Sequence, residues 1–262
     1  MTEPSENYCF EISKKGQQSL DILDRCFNAS TQKFLIKNGL TKNQHILDIG
    51  CGTGTMSRWI AEQVGENGTV LAIDNSENQI NSALEIAKSH ASSNINFKVL
   101  SAYDIEKLDN KFDMIYCRFI LHHLMAPDQI IQKAYQLLKP NGIFVCEEGI
   151  VSHGFSYPPS EAFKTILETD EIPDKNIGKK LFYKFSAAKF TVMDYEIYQP
   201  VLISSEDKSL LLAGLNDSKK FMLQNGTTES EWQNIYDETL KLIQEKNQII
   251  GFYASAKIAG KK

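Results

Sequence analysis

The chain has 262 residues, 42% of them hydrophobic and 23% charged, and carries a formal net charge of −5. That balance excludes a mainly disordered, collagen-like or coiled-coil chain, and its acidity disfavours a general nucleic-acid-binding face. No apolar run approaches ~18 residues, so no membrane-spanning helix is expected.

The opening MTEPSENYCF has neither the basic stretch nor the apolar core of a signal peptide. Five cysteines (Cys9, Cys26, Cys51, Cys117 and Cys146) show no CxxC spacing. Neither a disulfide framework nor a zinc site is expected, and a reducing cytoplasm is the expected location.

Residues 13–39 read as helix, with Leu20, Leu23, Phe27, Phe34 and Leu35 as apolar positions. Short apolar runs then alternate with helical patterns. HILDIG (45–50), TVLAID (69–74), INFKVL (95–100), FDMIYC (112–117) and GIFVCEE (142–148) have the length and two-faced apolarity of buried parallel strands. Helices are expected after Thr55, after Ser76 (where Ser76 to Gln79 has the capping-box pattern) and at Pro127. Lys139-Pro140-Asn141-Gly142 marks a stop and a tight turn, with Asn141 able to take positive φ. This alternation predicts a parallel sheet with helices on both faces.

After Gly149 the rhythm changes. Pro158 and Pro159 precede an expected helix near 159–169, and 191–203 reads as a sixth strand. Thr228 to Glu231 is a second capping box, heading a helix to about Glu245. A seventh strand is expected at 248–258, and Gly260-Lys261-Lys262 as a solvated tail.

The densest signal is Asp48-Ile49-Gly50-Cys51-Gly52-Thr53-Gly54, a glycine-rich turn between a strand and a helix. Backbone can approach a ligand closely there because no Cβ intervenes. The dinucleotide fingerprint G-x-G-x-x-G would place its third glycine at position 55, which is Thr55. Here the third glycine is Gly54, an acid (Asp48) precedes the set, and Asp74 ends the next strand.

From Thr41 to Ile150 the chain resembles the class I S-adenosylmethionine-dependent methyltransferases. The resemblance implies a Rossmann-like α/β fold with a seven-stranded sheet in the order 3-2-1-4-5-7-6, strand 7 antiparallel. It also implies S-adenosyl-L-methionine as cofactor. On this likeness Asp48, Gly50, Cys51 and Gly52 form the cofactor loop. Asp74 takes the ribose hydroxyls, Asn75, Gln79 and Ile80 lie toward the adenine, Asp104 and Ile105 meet its amino group and ring, and Cys117 or Arg118 offers a carbonyl to the cofactor ammonium. Arg118, His122 and Glu148 are the catalytic candidates, because the ends of strands 4 and 5 border the methyl in this fold, and Glu147 is a further base or orienting candidate. The LKPNG turn is similar to the family's LKPGG.

Residues 1–40 are expected to form a helical cap. Insertions at about 152–190 and 204–247 would cover a site within a methyltransferase domain spanning 41–262. Tyr8, Phe155, Tyr157, Phe163, Phe182, Tyr183 and Phe185 would line an apolar acceptor pocket. The expected activity is methyl transfer to a small-molecule acceptor. Methylation of protein or RNA, or noncatalytic cofactor binding, are the alternatives. The adjacent His122 and His123 do not read as metal ligands, since neighbouring helical residues point apart and no third ligand is close in sequence. No carboxylate–histidine pair is legible at close spacing, which favours catalysis by orientation over a general base.

Overall fold

The computed structural model describes residues 14–89, 93–169 and 172–262. Tyr8, Cys9 and the cap residues before Lys14 lie outside the described residues. The chain opens with α1 (Lys14–Lys37), followed by β1 (His45–Ile49), α2 (Thr55–Val64), β2 (Thr69–Asp74), α3 (Glu77–Ser89) and β3 (Ile95–Val99). Then come β4 (Phe112–Arg118), α4 (Pro127–Leu137) and β5 (Leu138–Ile150). The remainder holds β6 (Phe155–Tyr157), α5 (Glu161–Glu168), α6 (Leu181–Ala187), β7 (Thr191–Tyr198), β8 (Val201–Leu202), α7 (Ser205–Lys208), α8 (Leu210–Gln224), α9 (Glu229–Gln244), β9 (Ile249–Gly251) and β10 (Ala254–Lys261).

Seven strands form one sheet in the order β3-β2-β1-β4-β5-β10-β7, with β10 antiparallel to both neighbours. This is the expected topology, the sixth and seventh strands of the sheet being β7 and β10. Strand alternation assigns the two faces. Leu47, Ile115, Phe144 and Ile258 pack in the core with α4 and α6. Ile46, Met114, Val145 and Ala259 pack with α2 and the Phe34–Leu35 end of α1. Each of these side chains larger than alanine contributes roughly 1.5–3 kcal/mol on burial.

The capping box of α9 is complete: Thr228 Oγ1 accepts from the Glu231 amide, and Glu231 accepts from the Thr228 amide at 2.7 Å. The one at α3 is half made. Ser76 Oγ accepts from the Gln79 amide, but the Ser76 amide donates to Asp74 instead, at 2.9 Å. Asn141 does take positive φ, at 66°.

Three expectations are corrected. The run 191–203 is two strands, because Pro200 interrupts it and Gln199 turns its side-chain amide to the carbonyls of His153 and Phe252. The run 248–258 is likewise split, its first part joining a separate sheet of order β6-β9-β8. Gly260 and Lys261 are not a tail but the end of β10, where Gly260 is buried.

Candidate active site

Three alternate glycines after β1 have positive φ: Gly50 at 75°, Gly52 at 53° and Gly54 at 77°. At Gly50 a Cβ would also lie 2.1 Å from Ile120 Cδ1, so glycine is needed for conformation and for space. The loop is held from β2. The amides of Gly50 and Cys51 donate to Ile73 O, and the Gly52 amide donates to Asp74 Oδ2 at 2.9 Å. Asp74 is 3% exposed, and burial raises its pKa against the amide hydrogen bonds that lower it.

This loop forms one wall of a cavity lined also by Asp48, Tyr116, Arg118, His122, and Asp24 of α1. Asp48 accepts from Ser57 Oγ at 2.6 Å. Burial pushes its carboxyl up to about 6, while the Ser57 hydrogen bond and the Arg118 charge pull the other way. Tyr116 is the register partner of Asp48, and its buried hydroxyl has no hydrogen-bond partner. Arg118 donates to Asn28 at 2.7 Å and to Asp24 at 2.8 Å, tying α1 across the cavity.

A second cavity adjoins the first and shares Leu23, Phe119, His122, His123 and Tyr253 with it. Its other walls come mainly from α5, α8 and Phe252, and the lining is mostly apolar. Phe119 sits at the junction with φ 56°, a conformation costing roughly 1–3 kcal/mol for a bulky residue. Glu148 supports it. This fully buried carboxylate accepts from the amides of Ile120 (2.9 Å) and Leu121 (2.7 Å) and lies 2.6 Å from His122 Nδ1.

The carboxylate–histidine pair that the sequence did not show is therefore present, across the ends of β4 and β5. The rings of His122 and His123 also lie close together, with centroids 4.0 Å apart, on a single 3-10 turn (Leu121–His123). Burial, and then His122, push His123 down to about 3.

Strand alternation separates the paired acids. Glu147 points to the opposite face from Glu148 and accepts from Thr31 and Ser255 hydroxyls at 2.5 and 2.6 Å. Neither acid is a solvated strand end; both are fully buried. Potential ligand atoms of Cys117, Cys146 and Glu148 lie within 4.8 Å of one another. The Glu148 oxygens are already engaged by three donors, and burial pushes the Cys146 thiol well up.

Of the residues singled out from the sequence, Asp48, Gly50, Cys51, Gly52, Arg118 and His122 line the first cavity. Asp74, Asn75, Gln79, Asp104, Ile105 and Cys117 lie outside that lining. Asn75 is exposed, and Asp104 is 40% exposed and paired with Lys107 at 2.8 Å, while Ser101 caps its short helix. Ile105 and Cys117 are core side chains. Gln79 is buried with Oε1 unpartnered.

The expected pocket aromatics are largely wrong. Phe163 lines the second cavity, but Phe155, Tyr157, Phe182 and Tyr183 face out, and Phe185 stacks on Phe144 in the sheet core. Phe119, Phe252, Tyr253 and Tyr116 were missed. Positive φ at Phe119 has no signature in a single side chain's identity, and the orphaned Tyr116 hydroxyl depends on neighbours from other strands.

Residues 40–195 match the family model described as "Methyltransferase domain". The chain is 27% identical over 152 residues to a demethylmenaquinone methyltransferase of Symbiobacterium thermophilum, covering 56% of this chain and 61% of that protein. It is 32% identical over 113 residues to a ubiquinone biosynthesis O-methyltransferase of Coxiella burnetii, covering 42% and 45%. The aligned stretch thus spans less than two thirds of either relative. In fold it is similar to the YcgJ protein of Bacillus subtilis, with a TM-score of 0.63 at 16% identity over 90% of this chain and 98% of that one. With more than half of the chain matched by the family model, and with this sheet order and glycine loop, the chain belongs to the class I S-adenosylmethionine-dependent methyltransferase family.

Proposed function

We propose that this protein transfers a methyl group from S-adenosylmethionine to an ionisable hydroxyl of a small, largely apolar acceptor. The observation that carries this reading is the wall shared by the two cavities, where His122 is paired with the buried Glu148. The concave, mostly apolar second cavity favours a small molecule over protein or RNA. One relative's name, an O-methyltransferase, agrees with a hydroxyl acceptor.

The residues fit the cofactor. Tyr116, in the wall of the first cavity, has a buried hydroxyl without a partner, and Arg118 lines the same cavity with a guanidinium; both suit a carboxylate. Asp48 suits an ammonium. Asp74 has carboxylate lone pairs for a diol beside the loop it braces, and the unpartnered Gln79 Oε1 is an acceptor for an amino group. S-adenosylmethionine supplies a methyl made electrophilic by its sulfonium. The chain's own part is alignment and exclusion of water, worth up to ~7–11 kcal/mol.

His122 takes the acceptor's proton. Its Nδ1–H donates to Glu148, leaving Nε2 as the ring's acceptor, and the carboxylate stabilises the imidazolium that forms. His123, held neutral by burial, is too weak a base for that step. Phe119 and Tyr253 form the apolar sides of the junction.

Calorimetry with S-adenosylmethionine and with NAD, followed by mass spectrometry of 4-alkylphenols incubated with protein and S-adenosylmethionine, tests the reading. Micromolar binding of the sulfur cofactor, none of NAD, and phenol O-methylation support it. NAD binding with no response to the sulfur cofactor overturns it.

A further inference from the structure

We infer that the acceptor is a rod-shaped apolar molecule whose body lies along α8 past Gly214, with its reacting group at the His122 end. This rests on reading the second cavity as the acceptor site, and adds the shape and class of its ligand. Positions 210, 211, 214, 217 and 218 of α8 all line that cavity. Their spacings of one, three and four residues make a single stripe along two turns. Eight residues separate its ends, about 12 Å at a rise of about 1.5 Å each.

The stripe has a direction. Leu210 and Leu211 cluster with Phe119 and Tyr253, so that end meets the wall shared with the cofactor cavity. Asp217 and Ser218 lie at the other end. The cavity therefore runs from a buried apolar end, beside the base, to a polar mouth. A charged or sugar-like body would lose its hydration along that stripe without recovering hydrogen bonds.

Gly214 marks the middle. Glycine in a helix interior is destabilising relative to alanine. Here a Cβ would meet no atom within 4 Å, so packing does not demand the glycine. Gly214 lines the cavity together with Ile166 and Leu167 of α5, and open space lies where a side chain at 214 would extend. The Ser218 hydroxyl donates back to the Gly214 carbonyl at 2.8 Å and so stays on the helix surface rather than crossing the gap.

The test is a calorimetric series of 4-n-alkylphenols, from ethyl to octyl, against wild type, Gly214→Ala and Gly214→Leu, with and without S-adenosylhomocysteine. Wild-type affinity should rise about threefold to fourfold per methylene, from ~0.8 kcal/mol each. In Gly214→Leu the loss relative to wild type should grow with chain length and reach at least about tenfold for octylphenol, with alanine in between. Unchanged circular dichroism and S-adenosylhomocysteine binding show that each variant folds. Affinity independent of chain length in wild type, or an equal rise in Gly214→Leu, overturns the inference. Failure of wild type to bind S-adenosylhomocysteine would instead strike the cofactor reading, and the phenol series without cofactor still decides the channel.

Discussion

His122 Nδ1 lies 2.6 Å from Oε2 of Glu148, whose side chain has no exposed surface, while Oε1 of the same carboxylate accepts the amides of Ile120 and Leu121. One acid thus fixes both the turn that carries the histidine and the histidine's ring. His122→Ala should lower kcat on a phenolic acceptor by ~10²–10⁴ and remove the acid limb of the pH profile, with cofactor affinity intact. Glu148→Gln should lower kcat and also destabilise, since an amide cannot accept from all three donors through both of its polar atoms. A loss under about tenfold in His122→Ala would return the mechanism to orientation alone.

Asp48 couples pH to folding and to binding with opposite signs. Its carboxyl is pushed up to about 6 in the folded protein, above the ordinary carboxylate range. The folded state therefore holds a proton that the unfolded chain has lost between roughly pH 3.9 and 6, and this group's contribution to stability falls as pH rises through that window. An ammonium in the cavity prefers the ionised form. Cofactor affinity should therefore weaken as pH drops below about 6, approaching roughly tenfold per pH unit for one coupled proton. Calorimetry from pH 5 to 8 checks this, and Asp48→Asn should flatten the profile. A flat wild-type profile would mean that Asp48 does not face the ammonium.

Tyr116→Phe should stabilise the free protein and weaken the cofactor complex. A buried unsatisfied hydroxyl costs ~1–3 kcal/mol, and removing it should raise Tm by about 2–4 °C per kcal/mol. A hydrogen bond to a charged group is worth ~1.5–3 kcal/mol, so S-adenosylmethionine affinity should fall roughly 10- to 100-fold. Thermal melts with and without cofactor read both effects. A raised Tm with unchanged affinity would leave the hydroxyl without a role in binding.

Much of the cofactor loop was legible because its determinants are local. Asp48, Gly50, Gly52 and Gly54 act through spacing within a single turn, and strand period and helix caps located the framework around them. The His122–Glu148 pair was not legible, because the two residues are 26 positions apart and meet only through the pairing of β4 with β5. The aromatic lining of the second cavity was misjudged for a related reason. Aromatic identity says nothing about which side of a strand faces out, and β6 sends Phe155 and Tyr157 to the exposed side of a second sheet that no local pattern announces.

Arg118, a catalytic candidate on sequence grounds, makes its contacts elsewhere in the structure. Its guanidinium holds Asp24 and Asn28 of α1, and the side chains of the Arg118–Asp24 pair are only 14% and 21% exposed. Burial works against its charge, but the carboxylates of Glu147 and Asp24 outweigh that and raise its pKa, so it stays protonated and cannot act as a base. Arg118 should therefore position α1 and the cofactor's carboxylate. Breaking a buried pair by removing one partner costs ~3–5 kcal/mol, and the partial exposure here puts the effect at or below the lower end. Arg118→Met should lower Tm and weaken cofactor binding at least about tenfold, yet lower kcat at saturating cofactor by less than about tenfold. Asp24→Asn, which keeps a hydrogen-bonding partner for the guanidinium, should do less on both counts. A double-mutant cycle on cofactor affinity isolates the coupling between the two. A kcat loss beyond ~10²-fold in Arg118→Met at saturating cofactor would place the guanidinium in the chemistry after all.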